Sequence, residues 1–223
     1  MTAGGGEANG DAMTILVFGD SNSHGTVAVG NPAHLDRFPK PDRWPEVMAT
    51  LSGREVIVEG QPGRTTVLDD PIEGAHKNGL RALPIVLESH KPLALVIVML
   101  GTNDCKARFG MRGYDIAAGA SKLAQVALAS QAGPRLGPPD VMLVAPVPVE
   151  EAGALAETFQ GGPARARAIA PALEAEARRL GLGFLDAGRH AAVDPLDGVH
   201  LTREGHAALG KAAAEAVARR MGG

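Results

Sequence analysis

The 223-residue sequence predicts an α/β fold: a three-layer α/β/α sandwich around a five-stranded parallel sheet with the flavodoxin-like strand order 2-1-3-4-5. Three observations lead there. Five short apolar runs alternate with stretches rich in Ala, Leu, Glu and Arg, which favour helix. The third and fourth runs lack polar alternation, as strands covered on both faces do. No repeat and no Ser- or Pro-rich linker divides the chain, and its length suits one domain with a full core.

The elements follow in order. Residues 14–18 (Thr-Ile-Leu-Val-Phe) read as the first strand and residues 42–51 as the first helix. Residues 55–59 (Glu-Val-Ile-Val-Glu) form the second strand, followed by a helix over residues 79–90. The third strand, residues 94–100, is the most hydrophobic, and residues 114–131 follow it as helix. Residues 141–145 and 183–186 complete the sheet, with helices over residues 163–180 and 203–221. Parallel strands require right-handed crossovers, which place helices on both faces. Two connections are unusually long: residues 26–43 with three prolines, and residues 146–162 with Pro-Val-Pro and Gly-Gly. Long ordered loops at this edge of a sheet usually shape a site.

Composition narrows the class of partner. Lys and Arg number 22 against 25 Asp and Glu, a net charge of −3 without a basic block, so nucleic acid and anionic membrane are not expected partners. One cysteine, Cys105, excludes an internal disulfide and fits a reducing compartment. Residues 1–12 are Gly-rich and acidic, without a signal peptide's basic and apolar regions, and read as a flexible tail before a domain over residues 13–223. The longest apolar run, residues 93–100, is too short to cross a bilayer, and the expected location is the cytoplasm.

Four short segments carry chemistry. Gly19-Asp20-Ser21 ends the first strand and presents a hydroxyl at the edge where open α/β sheets bind ligands. A turn or cap serine looks the same in isolation. Asp197-Gly198-Val199-His200 precedes the last helix. A carboxylate three residues ahead of a histidine on one loop can accept from its Nδ1–H and leave Nε2 free to face a hydroxyl; a loop histidine beside a surface aspartate is the alternative. Thr202 is placed to cap the helix that starts at Arg203. Gly101-Thr102-Asn103-Asp104 follows the third strand, and the Asn103 amide is a neutral donor suited to a developing oxyanion, or else an Asx-turn. Gly63, in Gly60-Gln61-Pro62-Gly63-Arg64, can offer a backbone N–H without a Cβ in the way, or serve simply as a turn residue. A parallel sheet gathers all four segments along one edge.

In this order and over nearly the whole chain, these blocks resemble the SGNH/GDSL hydrolase superfamily. Arg43-Trp44, Glu59-Gly60, Arg64-Thr65-Thr66-Val67-Leu68-Asp69-Asp70-Pro71 and Val98-Met99-Leu100 bring the chain nearer the arylesterase/acyltransferase-like branch, which also resembles carbohydrate and aryl acetylesterases. Asn22 departs from the leucine in the superfamily's name. The resemblance implies Ser21 as nucleophile, His200 as general base and acid, Asp197 as its orienter, and an oxyanion hole of the Ser21 and Gly63 N–H groups with the Asn103 side chain. Asp20 then stabilises the turn, while Arg64 and Asp104 brace the loops. The implied substrate is a short-chain, acetyl-like ester of an aryl alcohol or a carbohydrate, with acyl transfer as a related activity and a homo-oligomer as the implied assembly. The rival enzyme class is a thioesterase or lysophospholipase, which needs a long apolar channel; a non-catalytic binding module is the rival outside enzymes.

Other residues are weighed around this core. Trp44 and Phe38, two of seven aromatics, are expected to wall the substrate pocket or to pack in the core, and His24 to line the pocket. His206 is read as a helix-surface residue. Asp186 and Asp194 compete with Asp197 as orienter, the first ending a strand and the second in poorer register. No histidine pair has metal-ligand spacing, and no Walker loop or dinucleotide fingerprint is present, so neither metal nor cofactor is expected.

Overall fold

The computed structural model describes residues 14–31 and 36–222, so the tail assigned to residues 1–12 lies outside the described residues. Five parallel strands, β1 (Ile15–Gly19), β2 (Val56–Gly60), β3 (Leu95–Met99), β4 (Asp140–Ala145) and β5 (Gly183–Asp186), are ordered β2-β1-β3-β4-β5. The register sets Gly19 of β1 opposite both Gly60 and Met99. The helices are α1 (Ser21–His24), α2 (Trp44–Ser52), α3 (Gly79–His90), α4 (Gly113–Leu128), α5 (Gly162–Arg167), α6 (Ile169–Leu180) and α7 (Arg203–Met221).

The side-chain period of two divides each central strand between two cores. Leu16, Phe18, Val96 and Val98 face a layer with Leu83 and Leu87 of α3, Leu123 of α4 and Leu173 of α6. Ile15, Val17, Leu95, Ile97 and Met99 face the other, with Trp44 and Met48 of α2 and Leu209 and Val217 of α7. This double burial explains why β3 reads as an unbroken apolar run. Strand order reverses between β1 and β3, so the crevice beyond their C-terminal ends is the expected ligand position.

The helix expected over residues 163–180 is two helices, broken at Ala168. Pro171 has no N–H for the Arg167 carbonyl, and its ring crowds that carbonyl, so a single straight helix cannot pass through. Helix α7 begins as expected, with the Thr202 hydroxyl accepting from the Gly205 N–H at 3.0 Å.

Candidate active site

The chain leaves β1 through Asp20, whose carboxylate accepts from the Asn22 N–H at 2.9 Å and caps the single turn α1. That turn sits against β2 because Gly60 has no side chain: a Cβ there would lie 2.4 Å from the His24 nitrogen. Ser21 is thereby held at the sheet edge, where its Oγ lies 3.0 Å from His200 Nε2. His200 Nδ1 is 2.6 Å from Asp197 Oδ2. The other Asp197 oxygen accepts from the Val199 and His200 N–H groups at 2.9 and 3.0 Å, so the carboxylate is fixed within its own loop. Burial opposes ionisation of Asp197, but the hydrogen bond and charge of His200 and the two backbone donors outweigh it and hold the carboxyl below its ordinary value. Asp186 and Asp194 instead accept from the N–H groups of Gly188 and Leu196 in their own turns.

Asn22, the residue that departs from the family's name, ties the two loops together. Its Nδ2 donates to the Val199 carbonyl at 3.1 Å, and its Oδ1 accepts from the Leu201 N–H at 3.0 Å. The side chain next to the Ser21 backbone thus grips the chain on both sides of His200, and it is buried.

The remaining groups converge from β2 and β3. Asn103 Nδ2 donates to the Arg64 carbonyl at 3.0 Å; an amide has two N–H groups, and the second remains available. Gly63 adopts φ +81°, a backbone conformation that favours glycine, and a Cβ there would meet Glu73 Oε2 at 2.4 Å, so the Glu73 side chain would have to shift to admit one. Arg64 donates to the carbonyls of Gly19 and Glu59 and stacks 4.1 Å from the centre of the Phe18 ring, joining β1 to β2. Burial lowers its guanidinium to about 10, against the pull of Glu59 and Asp20. Asp104 accepts from the Thr66 hydroxyl at 2.5 Å and from the Thr66 N–H, joining β3's turn to the same loop. Burial pushes Asp104 up to about 6 despite these donors.

Ser21, Gly63, Asn103, Asp197 and His200 line one cleft of about 340 Å³. Val27, Val29, Leu155, Phe159 and Val199 give it apolar surface, and Glu73, Lys77, Lys106 and Arg108 give it charge. These lining residues were missed in the sequence. The two long connections did supply a signal, since Val27, Val29, Leu155 and Phe159 come from them. The charged set carried little, because only Glu73 and Lys77 pair within one loop and the pairs with Lys106 and Arg108 join two separate loops.

Three pocket expectations are corrected. Trp44 is fully buried at the start of α2 and packs with Met48 and Leu209 under the sheet, because its side chain faces inward rather than toward the cleft. Phe38 packs edge-on against the His206 ring, 5.1 Å between centres, and does not line the cleft. His24 turns to the Thr26 hydroxyl at 3.0 Å and lines a neighbouring hollow with Asp36, Arg37 and Pro62. His206 is likewise buried rather than on the helix surface, its Nδ1 accepting from the Trp44 N–H. Cys105 is buried, and burial pushes its thiol up to about 12. Among the described residues no group of His, Cys, Asp or Glu is arranged to hold a metal ion, and no helix is long and apolar enough to cross a membrane.

The arrangement supplies a hydroxyl, a base in contact with it, a carboxylate behind the base and N–H donors at one cleft, which is the equipment of acyl transfer through an activated serine. Residues 17–208 match the GDSL-like Lipase/Acylhydrolase family. The chain is similar to the structure of a native M. smegmatis aryl esterase, at 39% identity and TM-score 0.87, covering 92% of this chain and 98% of that one. It is also similar to a carbohydrate acetylesterase from Sinorhizobium meliloti, at 37% identity and TM-score 0.88, covering 93% and 99%. Among curated proteins none matches. The five-stranded order and the family match over residues 17–208 lead to one conclusion: the chain belongs to the GDSL-like lipase/acylhydrolase family, the serine esterases of the SGNH fold.

Proposed function

We propose that the protein hydrolyses short-chain, acetyl-like esters of aryl alcohols or carbohydrates, with Ser21, His200 and Asp197 as its catalytic triad. The observation that carries the reading is the unbroken relay from Ser21 Oγ through His200 to Asp197, at 3.0 and 2.6 Å, on the wall of the cleft. His200 Nε2 removes the hydroxyl proton as Oγ attacks the ester carbonyl. The tetrahedral oxyanion is held by the Ser21 and Gly63 N–H groups and the free Asn103 N–H. Collapse expels the alcohol, which takes the proton from His200 and leaves an acyl-serine. Water, deprotonated by His200, attacks the acyl-serine; the Oγ–acyl bond breaks, the carboxylic acid is released, and Oγ takes the proton back from His200.

The acyl preference rests on size: about 340 Å³ is near the lower bound for a ligand pocket. The aryl and carbohydrate alcohols rest on the similar enzymes named above. A panel of p-nitrophenyl esters and acetylated sugars, run beside Ser21→Ala, tests the reading. Turnover that peaks at acetyl and disappears in Ser21→Ala supports it, and a maximum at long acyl chains or on acyl thioesters overturns the substrate class. The same reading places the chain in the reducing cytoplasm, supported by a buried, unpaired Cys105. It also includes a homo-oligomer, supported by Ile72 and Tyr114, exposed at 76% and 66%. Sedimentation as a monomer contradicts that assembly.

A further inference from the structure

Resting on the esterase reading, the geometry points to Lys77 as a positioning residue for the oxyanion hole: we infer that it orients and polarises the peptide group whose N–H Gly63 presents to the oxyanion. The Pro62 carbonyl and the Gly63 N–H belong to one rigid, planar peptide unit. Lys77 Nζ donates to the Pro62 carbonyl at 2.8 Å, from the side of the peptide opposite the N–H. A flip of this peptide would turn its carbonyl toward the oxyanion and its N–H away, which converts a stabilising dipole into an opposing one. An ammonium fixed on the carbonyl resists that flip. It also draws electron density toward the oxygen, which strengthens the N–H as a donor. Among the described residues no acceptor takes the Gly63 N–H, so it remains available for the oxyanion.

Lys77 is itself held in place. Its Nζ lies 3.7 Å from Glu73 Oε2, and the other Glu73 oxygen accepts from Lys106 at 2.5 Å and Arg108 at 2.8 Å. Arg108 and Lys106 also meet the buried Asp70, at 2.6 and 3.6 Å. Three cations therefore face two carboxylates in one linked cluster that reaches the Gly63 peptide through Lys77, and the extra positive charge complements the charge that develops as the ester is attacked. The Lys77 side chain is mostly shielded from water, at 16% exposed, so the field of its charge is less screened than that of a surface lysine. The absence of a Cβ on Gly63 lets Glu73 and the Lys77 stem approach this closely.

The test compares Lys77→Met, Lys77→Gln and Lys77→Arg with the parent on p-nitrophenyl acetate, alongside affinity for phenylboronic acid, which forms a tetrahedral adduct on the serine. Loss of a whole oxyanion donor costs about 10²–10³-fold in kcat, so loss of its orienting partner is expected to cost about 10–10²-fold. KM should stay within about twofold, boronate affinity should fall with kcat, and Lys77→Arg should recover most of both, because it keeps a charged donor. A merely structural role would lower thermal stability without this matched loss. Parental kcat in folded Lys77→Met or Lys77→Gln overturns the inference, as does a raised KM with kcat and boronate affinity unchanged, which places Lys77 on the substrate instead. The esterase reading fails separately, through activity that survives in Ser21→Ala.

Discussion

Replacing Asn22 by leucine is expected to separate His200 from Ser21 without touching either. The side chain makes two buried hydrogen bonds, to the Val199 carbonyl at 3.1 Å and from the Leu201 N–H at 3.0 Å. Leucine is close in size and makes neither. Both backbone groups are then stranded, each at about 1–3 kcal/mol unless the loop moves to find water. A net loss of about 3 kcal/mol lowers Tm by about 6–12 °C in a chain of this length. Asp197 and His200 share one loop and are bonded within it, so they move together and their pairing survives. What opens is the 3.0 Å contact between Ser21 Oγ and His200 Nε2. A displacement of about 1 Å at such a contact costs about 10²-fold in rate. The assay is kcat and KM on p-nitrophenyl acetate, with the rate of serine phosphonylation as an independent measure of nucleophile activation. Both rates should fall together while KM holds. Parental kcat in a folded Asn22→Leu protein would show that the clamp has no bearing on where His200 sits.

Two further outcomes follow from the same geometry. Asn103→Ala removes the proposed side-chain oxyanion donor and should lower kcat by about 10²–10³-fold with KM little changed; near-parental turnover in the folded variant removes Asn103 from the hole. Burial alone would raise the Asp70 carboxyl, but the Arg108 guanidinium, the Glu73 and Ile72 N–H groups and the Lys106 charge hold it far below the usual range. The unfolded chain therefore takes up this proton first, at about pH 4, so the stabilisation is present above that pH and is lost as pH falls below it. Asp70→Asn should be less stable at pH 7 and show a shallower loss of Tm below about pH 4, whereas an equal acid slope in both proteins contradicts the assignment.

The sheet was legible because its signal is redundant. Residues 94–100 are apolar at every position, which suits a strand covered by two layers and little else of that length. The relay was legible because Asp197 and His200 are three residues apart, and a three-residue spacing needs no knowledge of the fold to bring a carboxylate to an imidazole. The pocket was not legible. Trp44 and Phe38 are apolar residues on the chain after Ser21, and apolarity does not distinguish a cleft wall from a core. Trp44 became core because α2 begins at it and turns it under the sheet. His206 did leave a signal that went unread: with Leu209, Ala213 and Val217 it completes a stripe at helical spacing, and all four are buried on α7. Asn22 illustrates a harder limit. Its partners lie 177 and 179 residues away, and a loop-to-loop hydrogen bond of that separation has no local pattern.

The proposed chemistry requires Ser21 Oγ, activated by His200, to be the atom that carries the acyl group. Reaction with a fluorophosphonate, followed by peptide mass mapping, tests it directly. One adduct per chain is expected, on the peptide containing Ser21, absent in Ser21→Ala and formed far more slowly in His200→Ala. An adduct on another residue, or ester hydrolysis that persists in Ser21→Ala, would contradict it.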